Sequence, residues 1–160
     1  MTTLNDFGIS LSQPLYLYQK PMFDITVSVV VIVENGVIMV KEGDIYKFPS
    51  GYVMASKESI QFAAVRYIKE QTGILVKKDQ LIPVDFRSDP DRVKEKNIVD
   101  VGFFYMASNV SPESLIISNS KIKWEEVDFE NKCLVRKLKF YMDHELLLER
   151  AISLFCIVKE

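Results

Sequence analysis

The chain has 160 residues, 48% hydrophobic and 26% charged, with a formal net charge of −2. That length supports one domain, 1–160, with a sizeable core, and the balance of charge leaves no footprint for nucleic acid or an anionic membrane. Cys133 and Cys156 lack any metal or redox spacing, no apolar run is long enough to span a bilayer, and no basic-then-apolar leader is present; a cytoplasmic location is expected.

Residues 1–23 have no clear period and read as an N-terminal arm, whose aromatic cluster Leu15-Tyr-Leu-Tyr18 is a short strand, a segment packed on a partner, or a surface arm on its own domain. From Asp24 the signal sharpens. Ile25 to Val33 is a β-branched run, followed by Asn35-Gly36 and then Val37-Ile-Met-Val40. Asn-Gly between two such runs predicts a hairpin with a type I′ turn, and the nearly continuous apolar first run predicts a strand buried on both faces. Glu42-Gly-Asp44 reads as a loop and Tyr46-Lys-Phe48 as a short strand leading into FPSGYV.

An amphipathic helix follows, capped at Ser56, or at Lys57 if it begins at Glu58. Ile60, Ala64 and Ile68 fall on one stripe with Ala63 beside them, and Gly73 is the stop. The other face carries Arg66, Tyr67, Glu70 and Gln71 within about one helical turn. Leu81–Phe86 and Ile98–Met106 read as strands, joined by a charged stretch from Arg87 to Asn97. That stretch is either a solvated hairpin loop or, through Arg87 and Arg92, a phosphate contact suited to guanidinium chemistry. Leu115-Ile-Ile117 and Lys121–Val127 read as two more short strands. Trp124, the only tryptophan, has core packing as its default reading and stacking on a base as the alternative. Glu125 and Glu126 beside it are spare carboxylates. The last helix runs from about Tyr141 to Phe155 on a stripe of Leu148, Ala151, Ile152 and Phe155. His144, the only histidine, lies near its start and has no nucleophile paired to it by motif, so it receives no role.

The stretch Gly51 to Ile74 resembles the Nudix box, whose pattern is Gly, five residues, Glu, seven residues, then Arg-Glu-apolar-x-Glu-Glu-x-Gly-apolar. Gly51, Glu58, Arg66, Ile68, Glu70, Gly73 and Ile74 match in type. Ser88-Asp-Pro-Asp-Arg92 and Asp143-His144-Glu145 are similar to segments of the ADP-ribose pyrophosphatase-like branch. The resemblance implies an α/β/α sandwich with a mixed sheet and the box helix packed on it. It also implies hydrolysis of a nucleoside diphosphate linked to another moiety, of ADP-ribose or nucleotide-sugar type, with Mg²⁺ or Mn²⁺. Gly51, Glu58, Arg66 and Gly73 would be the structural part of the box, and Glu70 and Gln71 the metal positions. Two carboxylates are replaced, by Tyr67 and Gln71, and the Gly51–Glu58 gap is one residue longer than the pattern.

Magnesium favours hard anionic oxygens, so the metal half of the motif is eroded. Two readings follow. One is a weakly active hydrolase in which Glu70 works with a carboxylate from elsewhere, Glu95, Glu125 or Glu126, with Arg87, Arg92 and Trp124 on the substrate. The other is an inactive Nudix-fold ligand-binding or regulatory domain needing no metal. A homodimer whose second chain supplies the missing acid is a third option.

Overall fold

A computed structural model of the chain describes residues 23–54, 56–88 and 97–159. The leading strand signal becomes β1 (Asp24–Val33), and the chain turns through Glu34-Asn35 into β2 (Gly36–Glu42). The hairpin forms, but its loop is shifted by one residue from the Asn-Gly expectation. Val33 pairs with Gly36, and Glu34 alone of the two loop residues has positive φ, at 57°, so the turn is not type I′. The reason lies across the sheet: a Cβ on Gly36 would fall 2.4 Å from Trp124 Cε2 and 2.5 Å from the Glu125 carbonyl. Gly36 is kept in the strand by the close approach of the indole, not used in the turn.

β3 (Ile45–Lys47) and β4 (Ser50–Tyr52) follow, then α1 (Ile60–Thr72), a 3₁₀ turn at Lys78–Gln80, β5 (Ile82–Arg87), β6 (Ile98–Ala107), α2 (Pro112–Ser118), β7 (Ile122–Asp128), β8 (Cys133–Leu134) and α3 (His144–Val158). The cap of α1 is Ser59, whose hydroxyl accepts from the Phe62 N–H, and not Ser56 or Lys57. Ser56 instead sits in a turn at φ 71°. At the other end Gly73 closes the helix in the left-handed region at φ 79°.

Leu115-Ile-Ile117 forms a helix, not the expected strand. Ser111 caps it, Pro112 occupies the first turn, and only Leu115 of the apolar triplet is buried while Ile117 is 85% exposed. The last helix starts at His144, later than the expected Tyr141.

The sheet is mixed, in the order β5-β6-β1-β2-β7-β8, with β3 on β2 and β4 on β1. β1 is its centre. Along one edge it runs parallel to β6 for its whole length, Asp24 opposite Ile98 through Val33 opposite Ala107. Along the other, Thr26–Ser28 pair with β4 and Val31–Val33 with β2. Alternation then divides the core in two. Val27, Val29, Val31 and Val33 pack toward Ala63, Ala64 and Ile68 of α1 and Leu115 of α2. Val30 and Ile32 pack toward Leu147, Leu148, Ala151 and Ile152 of α3. The result is the expected α/β/α sandwich. No helix among the described residues is long and apolar enough to cross a membrane.

Candidate functional site

Two faces of β4 organise the site. Gly51, the middle residue of the strand, turns its α-carbon toward α1, and a Cβ there would fall 2.1 Å from Tyr67 Cζ. Only glycine lets the phenol ring lie this close to the strand. Tyr67 Oη donates to the Tyr52 carbonyl at 2.9 Å. One turn later Gln71 clamps Ser50 twice: its amide nitrogen donates to the Ser50 carbonyl at 2.9 Å, and its amide oxygen accepts from the Ser50 N–H at 3.2 Å.

Between them Arg66 stacks over the Tyr67 ring, 4.2 Å from its centroid, and grips Glu58 with two bonds of 2.7 and 3.0 Å. Glu58 also accepts from the Met54 N–H at 2.9 Å, which ties the loop to the helix. The Arg66 guanidinium, with the Met54 N–H behind it, holds the Glu58 carboxyl below its ordinary value against the opposing effect of burial; the Arg66 guanidinium is raised in turn by Glu58. Glu70 is the remaining carboxylate on this face. It is half exposed, and its contact with Arg66 is long, at 3.4 Å.

The other face of β4 walls a pocket of about 230 Å³ under the start of α3. Alternation sends Ser50 and Tyr52, paired with Ser28 and Thr26, to this side. Asp100, one of the pocket's lining residues, is 1% exposed. Its Oδ1 accepts from Thr26 Oγ1 at 2.5 Å and Ser28 Oγ at 3.0 Å, and its Oδ2 is bonded to Arg87. Arg87 also pairs with Asp85 at 3.2 Å and with Asp143 at 2.7 Å, and Asp85 bridges to Arg150 at 2.6 Å.

His144 closes the chain of bonds. Its Nδ1 accepts from the Phe48 N–H at 3.0 Å, so that nitrogen carries no proton, and Nε2 lies 3.4 Å from Ser28 Oγ. The neutral ring therefore bears its proton on Nε2 and donates toward Ser28, which donates onward to Asp100. Such an imidazole cannot accept the Ser28 proton, and this is not a nucleophile–base pair. Lys47, Tyr52, Tyr141 and Met142 complete the rim. Lys47 is paired with Glu42 at 2.7 Å, and Met142 holds φ 46° in the turn before α3.

No family model matches the sequence, and no curated protein sequence matches it. Solved structures do match its fold. A MutT/nudix family protein from Listeria innocua superposes with a TM-score of 0.69 at 18% identity, over 85% of this chain and 96% of that one. A MutT/nudix family protein from Enterococcus faecalis gives 0.68 at 17% identity, over 95% and 71%. The NUDIX domain of Shewanella oneidensis NrtR, crystallised with ADP-ribose, gives 0.65 at 19% identity, over 88% and 96%. The chain has the Nudix fold.

Within that fold the residues singled out by sequence separate widely. Glu58, Arg66, Gly51 and Gly73 form the loop–helix scaffold described above. Glu70 and Gln71 lie on α1, with the Gln71 amide already bonded to Ser50 on both of its ends. Trp124 and Glu125 sit opposite Ile38 and Val37, and Glu126 opposite Gly36, at the hairpin end of β1. Val27, beside Gly51, and Ile32, at that end, are five positions apart, roughly 16 Å along a strand. Trp124 donates its indole N–H to the Val33 carbonyl at 3.0 Å, Glu125 pairs with Arg136 at 2.5 Å, and Glu126 accepts from Asn35 at 3.1 Å. Arg87 is buried among three aspartates, and its guanidinium faces them, not a solvated loop. The N-terminal arm, Arg92 and Glu95 lie outside the described residues.

The divalent metal implied by a Nudix box does not fit the residues present on α1. One carboxylate, a phenol and an engaged amide make a poor donor set for a hard cation, and no group of three His, Cys, Asp or Glu side chains among the described residues could hold a metal ion. Sequence reading missed the pocket itself. Asp100 carries no local pattern; the signals that could have found the rest are the polar Thr26-x-Ser28 pair inside an otherwise apolar strand and the Asp143-His144-Glu145 segment.

Proposed function

We propose that this chain is a Nudix-fold domain that binds a nucleoside diphosphate linked to another moiety, of ADP-ribose or nucleotide-sugar type, and hydrolyses it weakly or not at all. One observation carries the reading: the two side chains that replace box carboxylates, Tyr67 and Gln71, are both bonded to the backbone of β4. They hold a wall of the pocket in place of a metal, so the helix that would have served chemistry serves binding. The ADP-ribose complex of the NrtR NUDIX domain supports the ligand class, and fold alone does not fix the reaction.

The test is calorimetry with ADP-ribose and with nucleotide sugars, alongside a phosphorus NMR assay for products with Mg²⁺ and with Mn²⁺. Saturable binding of at least one of these ligands with little or no product is the expected result. Turnover at about 1–10³ s⁻¹, the ordinary enzyme range, would overturn the loss of hydrolysis. Absence of binding by every member of the set would overturn the ligand class.

A further inference from the structure

The pocket between β4 and the start of α3 has a floor with a definite hydrogen-bonding sense. The protons of Thr26 Oγ1 and Ser28 Oγ are both spent on Asp100, and the His144 Nε2 proton points toward Ser28. A hydroxyl has one proton and two lone pairs, so each of these oxygens keeps acceptor capacity and no donor capacity. Around Asp100 the described residues contribute the charges of Arg87 and Arg150 and those of Asp85, Asp100 and Asp143. The oxygens of a phosphate linkage are acceptors, so they find no donor in the Thr26 and Ser28 hydroxyls. A sugar ring with free hydroxyls offers the protons that the floor accepts. Among the described lining residues the cation is Lys47, whose ammonium pairs with Glu42 at 2.7 Å.

We propose that this pocket is a sugar subsite: it takes the hydroxyl-bearing ring of a ribosyl phosphate ligand against Thr26 and Ser28, with the phosphate left at the mouth near Lys47. The assignment rests on the nucleotide-type ligand inferred above and adds which end of it enters the protein. Tyr67 and Gln71 act through β4 as positioning residues, since they fix the backbone of Ser50 and Tyr52 from behind.

His144 is the chain's only histidine, so its Cε1–H signal reports on the pocket without ambiguity. The full chain, labelled at histidine, is titrated with ribose 5-phosphate, 2-deoxyribose 5-phosphate and inorganic phosphate, and ADP-ribose affinity is measured by calorimetry. Ribose 5-phosphate and ADP-ribose should both move the His144 signal, the deoxy sugar should bind several-fold more weakly, and inorganic phosphate should leave the signal in place. Thr26→Val, which removes the acceptor, should weaken ADP-ribose about tenfold, the value of one hydrogen bond of roughly 1.4 kcal/mol. Thr26→Ser, which keeps the hydroxyl, should retain the affinity.

If ADP-ribose binds while His144 stays unmoved and Thr26→Val binds as the parent does, the pocket assignment falls and the nucleotide-binding reading stands. If inorganic phosphate moves His144 as far as ribose 5-phosphate does, the floor is an anion site and the proposal is wrong. If ADP-ribose fails to bind while ribose 5-phosphate gives the expected shifts, the sugar subsite stands and the nucleotide reading falls.

Discussion

Glu58 accepts from Arg66 through both carboxylate oxygens and from the Met54 N–H as well, with its side chain only 2% exposed. Three donors on one carboxylate stabilise its charged form, and the folded protein keeps that group below its ordinary value. A lowered carboxyl contributes stability above its unfolded value of about 4.3, and the contribution is lost as pH falls through the lower folded value. Glu58→Gln should therefore melt below the parent at pH 7, and the gap should close on acidification below pH about 4. Thermal unfolding followed by circular dichroism from pH 7 to pH 3 checks this; a gap that stays constant to pH 3 would show that the charge is not what holds the loop.

This pair was legible, because Glu58 and Arg66 stand at fixed spacing on one short stretch. The company of Arg87 was not, since its partners Asp100 and Asp143 lie 13 and 56 positions away in the chain. A charged stretch beginning at Arg87 looks solvated until β5 and β6 pair and enclose the guanidinium.

At the scale of elements, α1 and β4 act as one unit. Replacing Tyr67 and Gln71 by glutamate removes the donor to the Tyr52 carbonyl and the donor to the Ser50 carbonyl, and sets negative charge against both oxygens. Each lost bond costs about 0.5–1.5 kcal/mol before repulsion is counted, so the metal-free Tyr67→Glu, Gln71→Glu protein should unfold several degrees below the parent. The same change places three carboxylates at i, i+3 and i+4, neighbours on a helix. Mg²⁺ or Mn²⁺ should then raise the Tm of the double variant more than that of the parent, because a ligand of the folded state alone stabilises it. Equal shifts in the two proteins would mean that these positions do not converge on a cation.

The helix itself was legible from its stripe and its glycine stop, while its start was misplaced because Ser56, Lys57 and Ser59 compete within one turn. In α2 the apolar triplet Leu115-Ile-Ile117 imitated a strand, and the deciding signal was the Ser-Pro pair ahead of it. β8, at two residues, is too short to carry a period of any kind.

For the whole molecule the central fact is β1, paired along both edges and covered by α1 and α3. Its amides should be among the slowest to exchange with deuterium, together with those of β6, and well behind those of β8 at the sheet edge. Exchange at Val30 or Val31 as fast as at Leu134 would contradict the two-sided burial. The strand was legible as a β-branched run, yet its partner was not, since nothing in the sequence announces that Val33 lies beside Ala107. That pairing has a consequence for synthesis. The two positions are 74 apart (107 − 33), and at about 5–20 residues per second the ribosome needs on the order of 4–15 s to supply the second strand after the first. Through that interval β2 and β4 can already cover one edge of the most apolar segment in the chain, while the edge awaiting β6 stays open. The nascent chain is at its most adhesive then, and factors that shield apolar segments during translation should govern its yield more than they govern the folded protein.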